Sequence, residues 1–283
     1  MTIQKCLEEA VNVLRKAGIV SPRLDAEVLL CHMLHVDRAQ LLMRSHFLLT
    51  DQQSQCFRQW VARRELKEPV AYIVGEKEFW SLSFYVNRHV LIPRPETEIL
   101  VEEVLRILPG IDRCPARVLE IGVGSGAISV ALAVSQEDVQ MVATDISAEA
   151  IAVARRNAAK AGVAERIEFR VGSLFADLSG VYDVIVSNPP YISAEEFLSL
   201  PDDIRKYEPS LALLGGAEGI SLHREIINRG LKHLAAGGYL VMEIGATQGQ
   251  RLAELLGEAG SYANISCRQD YAGFDRVIMA RRI

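Results

Sequence analysis

The amino-acid pattern predicts an α/β fold: a doubly wound, mostly parallel, seven-stranded sheet with a small N-terminal helical bundle and a linking β-hairpin ahead of it. Three observations carry the prediction. From residue 117 onward, short β-branched runs alternate with helical runs, the rhythm of a parallel sheet covered by helices. The final two strand-like runs have only a loop between them, so they form an antiparallel hairpin at a sheet edge. Residues 1–74 carry helix starts and helical apolar spacing throughout.

Each element has its own signal. Ser21-Pro22 is a cap followed by proline at the first helical position. It opens a helix over 24–34 whose Leu24, Val28, Cys31 and Leu34 fall on one face. Thr50 with Gln53 reads as a capping box ahead of Cys56, Phe57, Trp60 and Val61. His32 and His35 stand at i,i+3, but no carboxylate or cysteine cluster joins them at ligand spacing, so no metal is expected. Residues 78–92 are aromatic and partly alternating, which predicts a hairpin turning at Asn87-Arg88. Pro93-Arg94-Pro95 stiffens the chain, and a helix begins near Thr97.

Strands are then expected at 117–121, 140–144, 168–171, 183–186, 239–244, 264–267 and 277–280. Helices are expected at 127–133, at 148–161 after the cap Ser147, and at 222–234. The chain divides into a helical domain (1–74), a hairpin linker (75–92) and a sheet domain (93–283).

Composition narrows the function classes. With 49% hydrophobic and 24% charged residues, the 283-residue chain is that of a soluble globular protein of two domains. No uncharged apolar run approaches the ~18–20 residues that span a bilayer, and the N-terminus has no signal-peptide apolar region. The cysteines (Cys6, Cys31, Cys56, Cys114, Cys267) are scattered and never in a C-x-x-C pair, which favours reduced thiols in a cytoplasm. The net charge of −5 is uneven: residues 1–92 carry 12 basic against 10 acidic side chains, and the rest 19 against 26. Neither part has the basic excess that stable nucleic-acid binding needs.

Two stretches carry chemistry. Glu120-Ile121-Gly122-Val123-Gly124-Ser125-Gly126 is a strand end running into a glycine-rich turn before a helix. Glycines there let backbone approach a ligand closely, though the fingerprint alone also fits a dinucleotide. Glu120 tilts the choice, because a carboxylate two residues before Gly122 repels a pyrophosphate and attracts a cation. S-adenosylmethionine carries a sulfonium and an ammonium and no phosphate. Asp145 ends the next strand, where an acidic side chain accepts ribose hydroxyls.

The second stretch is Asn188-Pro189-Pro190-Tyr191, at the end of the apolar run Val184-Ile185-Val186. Successive prolines fix φ and remove two N–H donors. Each also forces the residue before it into an extended conformation. The Asn188 side-chain oxygen and the Pro189 backbone oxygen then face a substrate with few competing donors. Two converging acceptors suit a planar –NH2 group, and Tyr191 offers a flat face for stacking.

On these residues the chain resembles a class I S-adenosylmethionine-dependent methyltransferase acting on an exocyclic or amide nitrogen. Residues 21–27 (Ser-Pro-Arg-Leu-Asp-Ala-Glu), 68–75 with Glu78-Phe79-Trp80, 91–98, Glu208-Pro209 with 213–216, and Gly237-Gly238 narrow the resemblance. They are similar to the HemK/PrmC-type peptide chain release factor glutamine methyltransferases over nearly the whole chain. The resemblance implies a Rossmann-like sheet domain, S-adenosyl-L-methionine as cofactor, and a class I release factor as protein substrate. Its target is the side-chain nitrogen of the glutamine in a Gly-Gly-Gln loop. Gly122, Val123, Gly124, Ser125 and Gly126 match the methionine-side loop, Asp145 the ribose ligand, and residues 188–191 the glutamine-binding loop. Val123 stands where a small polar residue is common. Ser173 stands where an aspartate often meets the adenine amino group, with Leu174 over the ring. The helical domain is expected to dock the protein substrate.

Two other readings compete. A DNA adenine amino-methyltransferase presents the same –NH2 geometry after flipping its base, but the acidic sheet domain and the lack of a large inserted recognition domain oppose it. A cofactor-binding adaptor without activity could lose either motif, and both are intact here.

Overall fold

In the computed structural model, which describes residues 1–283, the chain divides into two units. The first comprises Met1–Glu76 together with Pro201–Tyr207. Its helices are α1 (Ile3–Lys16), α2 (Pro22–Leu34), α3 (Arg38–Met43), α4 (Asp51–Glu65) and α5 (Val70–Val74). Thr2 caps α1, Asp37 and Gln40 form a capping box on α3, and Thr50 and Gln53 form the expected one on α4.

α2 corrects the expected face. Leu24 and Val28 are exposed, whereas Cys31 is buried and Leu34 packs against the core as expected, and Ala26, Leu29 and Leu30 are fully buried. Asp25 and Glu27 go inside with them, because each finds a guanidinium: Arg64 reaches Asp25 at 2.7 Å, and Arg23 reaches Glu27 at 2.8 Å. Pairing removes most of the cost of burying a carboxylate, so apolar spacing alone misjudged the buried stripe. Ser21 also departs from its expected role: its hydroxyl donates to Asp25 at 2.8 Å and makes no backbone cap. The late segment closes this unit through the Tyr207 hydroxyl, which donates to the Leu66 carbonyl at 2.8 Å, and through Asp203, 3.7 Å from Arg64.

The second unit holds the sheet. Its hairpin, β1 (Glu76–Phe79) and β2 (Leu82–Tyr85), turns at Trp80-Ser81 and not at Asn87-Arg88. Both turn residues take positive φ, 54° and 55°, the mirror-image turn that matches strand twist. Two bonds hold Trp80 in that strained conformation: its backbone N–H to Glu98 at 2.7 Å and its indole N–H to Ser135 at 2.9 Å. Asn87 instead accepts from the His89 amide and shapes the loop that follows.

Beyond it come α6 (Glu98–Ile107), β3 (Ala116–Ile121), α7 (Ala127–Ser135), β4 (Val139–Asp145), α8 (Ala148–Lys160), β5 (Ile167–Val171) and β6 (Tyr182–Ser187). α9 (Ala194–Ser199) and α10 (Asp202–Tyr207) follow, the latter within the first unit. The chain ends with α11 (Ser221–Gly230), β7 (Leu234–Glu243), α12 (Gly249–Glu258), β8 (Tyr262–Gln269) and β9 (Asp275–Arg282). The sheet order is β5-β4-β3-β6-β7-β9-β8, parallel through β7 and antiparallel at the β9-β8 edge, as expected. The helix expected to reach residue 234 stops at Gly230, and Leu234 already begins β7. α9, α10 and α12 were not expected, although Ser193 and Glu196 form a capping box on α9 and Leu252 and Leu256 line one buried face of α12.

Leu119, Ile121, Ile185, Leu240 and Met242 of the strands pack with Ile226, Ile227, Leu252 and Leu256 of α11 and α12 into one core. That core fixes the strand ends. Chain order leaves β3 in one direction toward β5 and returns through β6 in the other, so a switch point lies between β3 and β6. In open α/β sheets a crevice opens at the carboxyl ends there.

Candidate active site

Strands β3 and β6 end level, Ile121 opposite Ser187, and the Ser187 hydroxyl donates to the Ile121 carbonyl at 2.7 Å. Gly122 and Asn188 therefore leave the sheet side by side. Both contribute to a cavity of 330 Å³.

One side of the cavity is the glycine loop. Gly122 and Gly124 take φ of 77° and 52°, and a Cβ at either would meet open space, so conformation requires glycine there and not crowding. Gly126 differs. It starts α7 at φ 83°, and a Cβ there would come within 3.2 Å of Ala154. It does not line the cavity, whereas Val123 and Ser125 do. Packing against Ala154 thus constrains Gly126, while its neighbours form the cavity lining. Asn157 braces the loop from below, donating to the Ser125 carbonyl at 2.8 Å while bonding both backbone groups of Tyr85.

The acidic residues are held by the same backbone. Asp145 accepts from the Gly124 amide and from the Ser147 amide, both at 2.9 Å. Burial raises its pKa, opposed by those N–H groups. Glu120 lines the cavity yet is fully buried. Burial pushes its carboxyl up to about 8, against the Ser129 hydroxyl and amide that bond Oε2. Its Oε1 has no partner. The expected fixed negative charge is therefore mostly neutral at pH 7 until a cation comes near. Ser173 and Leu174 complete this side, Leu174 at a left-handed φ of 53°.

On the other side stand Asn188, Pro189 and Pro190. The Asn188 amide nitrogen donates to Thr97 Oγ1 at 3.3 Å, which leaves Oδ1 free to accept. Tyr191 is not in the cavity lining. Its hydroxyl donates to Glu243 at 3.2 Å, and its backbone carbonyl accepts from Gln248 at 2.9 Å. Those two bonds make Tyr191 an anchor of the loop beside Asn188, Pro189 and Pro190. Close backbone packing holds the loop as well. A Cβ on Gly215 would stand 2.5 Å from the Pro190 carbonyl oxygen.

Sequence reading gave no site role to Glu243 and Gln248, and named Arg94, Thr97 and Glu208 only as part of the resemblance, not as the pair Arg94–Glu208, in which Glu208 also accepts from the Ile92 amide at 3.1 Å. Burial conceals Glu243 and Glu208, and a carboxylate inside an apolar strand such as β7 was the available sign of the first.

Residues 5–75 match the family model of the PrmC N-terminal domain, and residues 97–200 that of the methyltransferase small domain. The release factor glutamine methyltransferase of Nitratidesulfovibrio vulgaris is 40% identical over 99% of this chain and 95% of its own length. That of Moorella thermoacetica is 41% identical over 100% and 99%, and that of Salmonella typhimurium 38% over 99% of each. Among solved structures, the hMettl16 catalytic domain superposes with a TM-score of 0.59 at 15% identity, covering 82% of each chain. A Pyrococcus furiosus methyltransferase gives 0.51 at 19% identity, covering 79% of this chain and 97% of that one. These last two share the fold. With such identity along almost its entire length, the chain belongs to the family of release factor glutamine methyltransferases.

Proposed function

We propose that this enzyme transfers a methyl group from S-adenosyl-L-methionine to the side-chain amide nitrogen of the glutamine in the Gly-Gly-Gln motif of class I peptide chain release factors. The observation that carries the reading is the rigid, acceptor-bearing Asn188–Pro190 loop beside the glycine loop on one cavity. The cavity fits the cofactor on its own chemistry. The unpartnered, buried Glu120 Oε1 suits an ammonium, Asp145 suits ribose hydroxyls, and the Gly122–Gly124 backbone leaves open space beside it. Leu174 offers an apolar cover for the adenine, with Ser173 able to accept one bond.

S-adenosylmethionine supplies an electrophilic methyl group carried on a sulfonium. The protein's part is mainly positioning. Asn188 Oδ1 and the Pro189 carbonyl accept the two hydrogens of the glutamine –NH2, which turns the nitrogen lone pair toward the cavity and weakens its conjugation. The same acceptors stabilise positive charge developing on that nitrogen. Pro190 keeps the loop from relaxing, and Tyr191 ties it down. Residues 1–74 dock the release factor and take no part in the chemistry. A release-factor substrate supports a cytoplasmic location for the enzyme.

A labelled-cofactor assay that offers release factor and duplex DNA side by side tests the reading. Label on the release factor glutamine alone is the expected result. Label on adenine, or on neither, overturns it.

A further inference from the structure

We propose that the tip of the β8–β9 hairpin, with its aromatic pair Tyr271 and Phe274, is a docking point for the protein substrate on the sheet unit itself. The proposal rests on the function given above. Strand register places the tip. β7 ends at Glu243, which pairs with Val277 near the start of β9, and Gln269 at the end of β8 pairs with Asp275. Residues 270–274 therefore turn at the carboxyl edge of the parallel strands, the edge from which Asn188 leaves β6. β7, β9 and β8 follow β6 in that order. At about 4.8 Å per strand, the tip stands roughly 10–15 Å along the rim from Asn188. Bonds join the two places. Tyr191, beside the cavity-lining Pro190, donates to Glu243 at 3.2 Å. The Ile244 amide donates to the Arg276 carbonyl at 2.9 Å, and the Arg276 guanidinium holds Asp270 at 3.0 Å.

The tip is held in shape by its own polar groups. The Asp270 carboxylate accepts from the amides of Ala272 at 2.9 Å and Phe274 at 3.0 Å, and the Asp270 amide donates to the Phe274 carbonyl at 2.8 Å. The Tyr271 hydroxyl donates to Glu102 of α6 at 3.3 Å. On this closed turn Tyr271 is 90% exposed and Phe274 55%, and no other Phe, Tyr or Trp of the sheet unit is exposed. Aromatic side chains are the frequent anchors of protein contacts, and a turn ordered before binding loses little entropy on binding. The occupant follows from size. A folded protein that sends one glutamine into the cavity must rest its surroundings on the rim. A standard protein contact covers about 800 Å² on each side, a disc of roughly 16 Å radius. Centred on Asn188, such a footprint takes in the tip.

The test compares wild type with the double variant Tyr271→Ser and Phe274→Ser, measuring KM for the release factor, the rate at saturating release factor, and cofactor affinity by calorimetry. Both side chains are exposed and outside the cavity lining, so the variant should fold and keep its cofactor site. KM should rise about tenfold or more, with the saturated rate and cofactor affinity at their wild-type values. An unchanged KM overturns the proposal, as does a loss confined to the saturated rate. Sedimentation checks the other occupant: a wild type that dimerises where the double variant stays monomeric gives the tip to a second copy of this chain and overturns the proposal as well. Wild-type enzyme that labels no release-factor glutamine defeats the function itself, whereas an active wild type with an unimpaired variant defeats only the docking role of the tip.

Discussion

Two buried carboxylates occupy matching places in the sheet unit, Glu120 beneath the glycine loop and Glu243 beneath the Pro-Pro loop. Both are fully buried, and each has one oxygen without a partner. Burial raises both, to about 8 and about 7. Their surroundings separate them. Glu120 is bonded from a single residue, Ser129, and lines the cavity. Glu243 is tied to the loop above through Tyr191 and has Thr97 and Arg276 as neighbours, away from the cavity. Similar burial thus serves two ends. On the proposed function, one carboxylate is kept incomplete for the cofactor, whereas the other is bonded to the chain's own loop through Tyr191.

If that division is right, variants on the two sides should affect different measurements. The largest effect belongs to the Pro-Pro side. Asn188→Ala should cut single-turnover transfer by ~10²-fold or more, the scale of removing one preorganised polar contact, with cofactor affinity nearly unchanged. A variant that keeps above about a tenth of the rate has lost under ~1.4 kcal/mol, and the loop is then not the substrate clamp.

On the cofactor side, Asp145→Ala should weaken cofactor binding by roughly 1.5–3 kcal/mol, the worth of charge-assisted bonds to ribose. Unchanged affinity by calorimetry would put the ribose elsewhere. Protons sharpen the contrast. Glu120 in the empty fold has a pKa raised from 4.5 to about 8, so it binds a proton that the unfolded chain has already released. The unliganded fold therefore loses stability as pH rises from 4.5 through 8. A cationic ligand needs the ionised form, so its affinity should run the other way, rising by up to about tenfold per pH unit below that pKa. Titrations across this range should show the slope in wild type and a flatter one in Glu120→Gln.

The smallest effect separates packing from binding within the glycine loop itself. Gly126→Ala puts an L side chain at φ 83° against Ala154, which should cost ~1–2 kcal/mol of stability. Cofactor affinity at a temperature where the variant is folded should barely move. A large loss of affinity would return Gly126 to the binding loop.

The sequence made plain those parts whose cause is local. β-branched runs marked the central strands, glycines marked the turn after β3, and consecutive prolines marked the loop after β6. What stayed hidden depended on partners far along the chain. Leu24 and Val28 had the right spacing, but Arg64 and Arg38 allowed Asp25 and Glu27 to take the inside. Trp80-Ser81 has no glycine or asparagine to announce a mirror-image turn, because Glu98 and Ser135 supply the restraint. The partner that holds the Tyr191 hydroxyl, Glu243, lies 52 positions later. Burial of polar groups is a property of pairs, and a pair distant in sequence leaves no periodic trace.

Pro201–Tyr207 belongs to the helical unit although the rest of that unit ends at Glu76. On a ribosome the two pieces do not emerge together. Residues 77–200 must be made in between, roughly 6–25 s at ~5–20 residues per second. During that interval Leu66 lacks the Tyr207 hydroxyl and Arg64 lacks Asp203. The helical bundle can therefore gather early but reaches its final form only after β6 and the Asn188–Tyr191 loop have been synthesised.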